Sequence, residues 1–190
     1  MASSALRQAL ADPAVRPLPS VAAELLEALD APPRLAAHLR AVHHVAHQVT
    51  ERLAPYGLAT DRTAVLFGAA THDIGKVRHI EELTGPGHAH EPAGQKILLQ
   101  YGVPAELARF AATHGSWREP ARTVEDLLVS VADTVWKGER VTALEQRLLD
   151  HLVATTGLDE WDAFLRLDDV LAQAAADADR LLAFQFSHPV

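Results

Sequence analysis

The stretch Thr63 to Ala70 constrains this chain most, because it is apolar almost all round a helix and leads straight into His72-Asp73-Ile74-Gly75-Lys76. A helix without a polar face has to lie at the centre of a fold. An aspartate at the end of such a helix costs several kcal/mol unless it is paired or metal-bound. Adjacent side chains about 100° apart can both reach one ion where a helix is ending, and Gly75 lets this one end. A His-Asp pair is also an ordinary helix terminus, so the rest of the chain has to supply the other partners.

The flanking segments are helical in pattern. Ser20 is placed to cap a short helix to Leu29, and Asp30-Ala31-Pro32-Pro33 stops it and starts the next, from about Arg34 to Leu53. Asp61 caps the central helix, and Thr123 with Asp126 forms a capping box for residues 124–137. Further helices run from Pro92 until Gly102, from Pro104 to His114 ahead of Gly115, over residues 141–154, and over residues 160–184 after Asp159. In the last, Trp161, Phe164, Leu165, Leu167, Leu171, Leu181 and Leu182 are expected in the core. Residues 1–19, with Pro13, Pro17 and Pro19 and little periodicity, read as a loosely docked segment. No stretch reads as a strand, a repeat or a phosphate-binding glycine loop. The expectation is one all-α domain of about 7–9 helices. It divides into an N-terminal segment and short helix (residues 1–33), a helical core (34–140) and C-terminal helices packed on that core (141–190).

Composition narrows the chemistry. With no cysteine there is no disulfide framework, Fe–S cluster or thiolate nucleophile, so any metal is held by nitrogen and oxygen. A net charge of −8 disfavours a nucleic-acid partner. No apolar run approaches the ~20 residues of a membrane span, and the N-terminus does not read as a secretion signal. A soluble cytoplasmic protein, monomer or homodimer, is expected.

Eleven histidines are many in such a chain, and their positions carry the argument. In the helix from Arg34, the residues Leu35, Val42, Val45, Val49 and Leu53 share an arc of about 80°, and His38 falls within it. His43, His44 and His47 fall about 100–160° from the centre of that arc, on the solvent side, and His43 is the nearest of the three to an alternative ligand. The long connection over residues 77–91 carries Gly85-Pro86-Gly87 and three histidines, as a loop beside a site does. His90 stands at the entrance of the next helix, with Gly94 one turn later, and His114 closes the helix after that; polar termini also fill such positions. Asp133 lies opposite the apolar face of Val124, Leu127, Leu128, Val131 and Val135, between Val129 and Trp136. It needs a partner, either an arginine or a metal.

Taken in order, His38, His72-Asp73, His90, His114 and Asp133 resemble the HD-domain superfamily of metal-dependent phosphohydrolases over about residues 34–140. His38 followed by Val42 and Val45-Ala46 resembles the first helix of that family, His72-Asp73-Ile74-Gly75-Lys76 its signature, and His90 to Gly94 the spacing of its binuclear branches. The resemblance implies that His38, His72, Asp73 and Asp133 hold one metal. Asp73 would bridge to a second, held also by His90 and His114, with His88 or His43 as possible substitutes. Nitrogen and carboxylate donors suit Mn, Fe, Co, Ni or Zn. The implied activity is hydrolysis of a phosphate ester of a small metabolite or nucleotide by metal-activated water. Asp73 and Lys76 are the catalytic candidates. Lys76 and Lys137, two of three lysines in the chain, are candidates to bind the substrate, with Arg78, His79 and Glu82 at the rim. His114-Gly115-Ser116-Trp117 lacks the Gly-Tyr-Pro signature of the cyclic-dinucleotide phosphodiesterases. No room remains for a synthetase or sensor domain, so a standalone enzyme is expected. Two other functions fit the same residues: a diiron oxygenase of this superfamily, and a non-catalytic metal- or ligand-binding regulatory domain.

Overall fold

The computed structural model describes residues 2–190, and all regular structure among them is helical. The helices are α1 (Ser4–Ala11), α2 (Ser20–Ala28), α3 (Pro33–Leu53), α4 (Arg62–Thr71), α5 (His90–Gln100), α6 (Ala105–Ala108), α7 (Phe110–Thr113), α8 (Val124–Val135), α9 (Thr142–Thr156), α10 (Glu160–Ala175) and α11 (Ala178–Phe186). Nine of these have eight residues or more, while α6 and α7 are short pieces of one run broken at Arg109. Among the described residues no helix is long and apolar enough to cross a membrane.

The two helices that carry the first site residues are also the most enclosed. In α4, Ala64, Val65 and the whole run Phe67 to Thr71 are buried, and the Asp61 carboxylate caps the helix by accepting from the Ala64 amide at 3.0 Å. The longest helix, α3, packs against α1, α4, α8, α10 and α11. Its C-terminal half joins an apolar cluster with α8 to α11, and its start (Leu35, Ala36, Leu39) joins a second with α1, α2 and α5. Along α4, Ala69 belongs to the first cluster and Ala70 to the second, which Ile74 joins just past the helix. His38 and His72 therefore stand where the two clusters meet.

After His72-Asp73 the chain tightens into a 3-10 turn over Ile74–Val77 that lies directly on the start of α5. The approach is backbone to backbone. A Cβ on Gly75 would fall 1.9 Å from the His90 carbonyl oxygen and 2.6 Å from the Gly94 amide nitrogen. The glycine in this turn thus does more than end a helix, since it lets the segment bearing His90 close on the segment bearing Asp73. The capping box of Thr123 and Asp126 is present and sets the start of α8.

Several local expectations change. The first nineteen residues are not loosely docked: Leu6 and Ala9 of α1 are fully buried, and Arg40 donates to the carbonyls of Ala9, Asp12, Val15 and Arg16. That segment covers one side of α3, so His43 is buried rather than solvated. Burial and the nearby Arg16 charge push its pKa down to about 3. The last helix is two, α10 and α11, parted at Ala176-Asp177. In α10 the buried stripe is Ala163, Leu167, Val170, Leu171 and Ala174. Trp161, Phe164 and Leu165 lie outside, where Trp161 and Phe164 stack at 5.6 Å.

Candidate metal centre

Four imidazoles and two carboxylates converge at the junction of α3, α4, α5, α7 and α8. Asp73 is at the middle, almost fully buried, and its two oxygens face different partners. Oδ2 lies 3.1 Å from His38 Nε2 and 3.7 Å from His72 Nε2. Oδ1 lies 3.0 Å from His90 Nε2 and 3.5 Å from His114 Nε2. Asp133 adds Oδ1 at 3.2 Å from His72 Nε2 and 3.7 Å from His38 Nε2. Three overlapping donor groups result: His38, His72 and Asp73; His72, His114 and Asp133; Asp73, His90 and His114.

The other nitrogen of each ring fixes which atom faces inward. His72 Nδ1 donates to the Ala69 carbonyl at 3.1 Å, and His114 Nδ1 to the Phe110 carbonyl at 3.3 Å, both within their own helical turns. His90 Nδ1 donates to Glu82. His38 Nδ1 donates to Gln185 Oε1 at 3.2 Å. In the neutral form of each ring, with Nδ1 carrying its proton to an outer acceptor, Nε2 turns a lone pair toward the centre. Lone pairs that face carboxylate oxygens at such distances repel unless a cation lies between them. His90 Nε2 is buried and satisfied by no hydrogen bond. The donor set therefore fits divalent ions with nitrogen and oxygen preference.

The protonation equilibria follow the same logic. Burial disfavours charge on His72, yet Asp73 and Asp133 outweigh it and raise the histidine above its ordinary value. His90 is likewise raised against its burial by Asp73 and Glu82. His114 is lowered, by burial and by charge on His72. Burial would raise Asp73, but His72, His38 and His90 hold it well below the usual carboxylate range; Asp133 is also lowered, chiefly by His72. Protons on His72 and His90 thus occupy positions that a metal would compete for.

Glu82, expected at the rim, is instead an inner support. It is buried, and besides His90 Nδ1 it accepts from the backbone amides of Ala89 at 3.0 Å and His90 at 3.1 Å. Its only signal in the sequence is an acid inside a histidine-rich connection. Two others were missed, Arg34 and Gln185, which line the same cleft.

The cleft over the centre has a volume of about 350 Å³. Lys76 and Lys137 both line it; the Lys76 ammonium sits 2.6 Å from Asp73 Oδ2, and Lys137 pairs with Glu139 at 3.0 Å. His88 is at the mouth, largely exposed and bonded to Glu91 at 2.9 Å, so it does not take the place of His90. Nor does His43 reach the donor groups. Arg78 is exposed, and His79 turns to Glu81 at 3.5 Å; neither lines the cleft.

A family model described as HD domain matches residues 35–135, more than half of the chain and the span from the helix of His38 to the helix of Asp133. No curated protein and no solved structure matches the sequence.

Proposed function

The chain belongs to the HD domain family, and from that premise we propose that it is a metal-dependent phosphohydrolase cleaving a phosphate ester of a small metabolite or nucleotide. The observation that carries this reading is the common orientation of four histidines, each with Nδ1 held outside and Nε2 facing Asp73 or Asp133. His38, His72, Asp73 and Asp133 would hold one divalent ion, and Asp73, His90 and His114 a second. Such ions supply Lewis acidity toward a phosphoryl oxygen and bring the pKa of water near neutrality.

The protein's own groups do the rest. Asp73, ionised at neutral pH, offers one oxygen to each half of the site. Lys76 and Lys137 line the cleft as cations and would neutralise the non-bridging oxygens of a phosphate. These two lysines on the cleft wall favour an anionic, phosphoryl-bearing substrate. The Trp136 ring packs edge-on against His38 at 5.0 Å and braces that imidazole. A volume of about 350 Å³ suits a small phosphorylated molecule.

The test is a phosphate-release screen. Protein purified without chelator and re-equilibrated with Mn²⁺ or Fe²⁺ is offered phosphomonoesters, phosphodiesters and nucleotides, beside Asp73→Asn. Release by the wild type and loss of at least ~10³-fold in the variant is the expected result. Oxygen uptake with bound iron and no phosphate release would move the site to oxygenase chemistry. Tight metal retention with neither activity would leave a binding domain.

A further inference from the structure

The family match ends at residue 135, yet two groups at the site depend on the last six residues of the chain. Three of the four inward histidines have Nδ1 acceptors from within the matched span: Ala69, Glu82 and Phe110. His38 does not. Its Nδ1 acceptor is the Gln185 side chain, 147 positions away on α11. With the opposite tautomer Nε2 would carry a proton toward Asp73 Oδ2, 3.1 Å away, and could not act as a ligand.

The same turn of chain holds Arg34. The Arg34 amide donates to the Pro189 carbonyl at 2.9 Å, its Nε donates to the His188 carbonyl at 3.0 Å, and its guanidinium lies 5.5 Å over the Phe186 ring. The turn is itself anchored, since His188 is buried against Phe184 at 5.1 Å. Among the described residues neither Nη group of Arg34 has an acceptor, and the side chain lines the cleft. Arg34 precedes His38 by one helical turn, about 6 Å along α3. Arg34 and His38 line the same cleft, so an anion held by the free Nη groups stands beside a phosphoryl group at the metal centre.

We propose that the C-terminal turn, residues 185–189, is an arm of the active site: Gln185 is a positioning residue that fixes the ligating tautomer of His38, and the carbonyls of His188 and Pro189 hold Arg34 as the contact for a second anionic group on the substrate. This rests on the metal-dependent reading above. It implies a substrate with two adjacent charged groups, such as a diphosphate, rather than a simple monoester.

The test titrates Mn²⁺ calorimetrically into metal-stripped protein and then titrates non-hydrolysable imidodiphosphate or orthophosphate into the loaded protein. In Gln185→Leu one Mn²⁺ step weakens by ~10–100-fold, and Gln185→Glu, which keeps an acceptor, restores it to within a few-fold of the wild type or better. In Arg34→Ala imidodiphosphate binds at least ~10-fold more weakly, with orthophosphate changed by less than ~2-fold. Unchanged Mn²⁺ affinity in Gln185→Leu, or equal loss in the leucine and glutamate variants, overturns the role of Gln185. Equal loss of both anions in Arg34→Ala, or loss of neither, overturns that of Arg34. A wild type that binds no Mn²⁺ defeats the metal-centre reading first, which separates the two failures.

Discussion

Gly75→Ala puts the geometry of the centre to a quantitative test. The added methyl would sit 1.9 Å from the His90 carbonyl oxygen and 2.6 Å from the Gly94 nitrogen, and because both are backbone atoms no side-chain rotation relieves the overlap. Opening the closer contact to 3.0 Å moves the start of α5 by about 1 Å. Overpacking of this kind costs about 1–3 kcal/mol. At about 2–4 °C per kcal/mol for a chain of this size, the melting temperature falls by ~2–12 °C. The functional effect is larger, because a site tolerates only about 0.5 Å of misplacement and His90 Nε2 starts 3.0 Å from Asp73 Oδ1. Calorimetric titration with Mn²⁺ should therefore show the His38 half of the site intact and the His90 half weakened by at least ~10-fold. Gly94→Ala is the graded comparison. Its methyl meets Ala111 Cβ at 3.0 Å and the Gly75 nitrogen at 3.1 Å, so it should cost less in both readouts. A Gly75→Ala protein that melts with the wild type and binds Mn²⁺ identically would refute the argument that this turn sets the ligand geometry.

Glu82→Ala removes the acceptor of His90 Nδ1, so the Mn²⁺ affinity of one site should drop ~10–100-fold while the other holds; equal affinities by calorimetry would contradict it. Lys76→Met should leave both ions bound and lower kcat/KM for phosphate release by ~10²-fold, and an unchanged value would remove Lys76 from the chemistry. His43 makes a prediction about pH. Its folded pKa of about 3 lies below that of the unfolded chain, so its contribution to stability is complete above pH ~6.5 and is lost as the pH falls toward 3. The loss is ~1.4 kcal/mol per pH unit, or ~2 kcal/mol by pH 5. Urea unfolding at pH 7 and pH 5 should show this dependence reduced in His43→Leu, and an equal slope in both proteins would count against it.

Much of this site is legible in the sequence because its residues sit where local rules operate. The apolar run of α4 has nowhere to go but the interior, so the charge at its end announces itself. Asp61, and Thr123 with Asp126, mark helix starts through hydrogen bonds spanning three residues. Helical phase alone turns His38 inward. What escapes is set by contacts across long separations or without periodicity. Gln185 reaches His38 over 147 positions. Glu82 belongs to a 3-10 turn that carries no repeating pattern. His43 obeys its helical phase, but an N-terminal segment tied down through Arg40 to carbonyl groups covers it, and carbonyls have no sequence signature. Arg78 and His79 follow Asp73 closely in sequence, whereas the 3-10 turn between them and Asp73 leaves both outside the cleft. Trp161 and Phe164 are expected in the core, while the packed stripe of α10 is Ala163, Leu167, Val170, Leu171 and Ala174.

A carboxylate shared by two metal ions is tested by the metal content per chain of protein re-equilibrated with Mn²⁺ or Fe²⁺, measured by elemental analysis in the wild type, Asp73→Ala and His114→Ala. About two ions in the wild type, near zero in Asp73→Ala and about one in His114→Ala is the expected series for a carboxylate that serves both halves of the site. A wild type that takes up no ion, or an Asp73→Ala protein that keeps both, would contradict it.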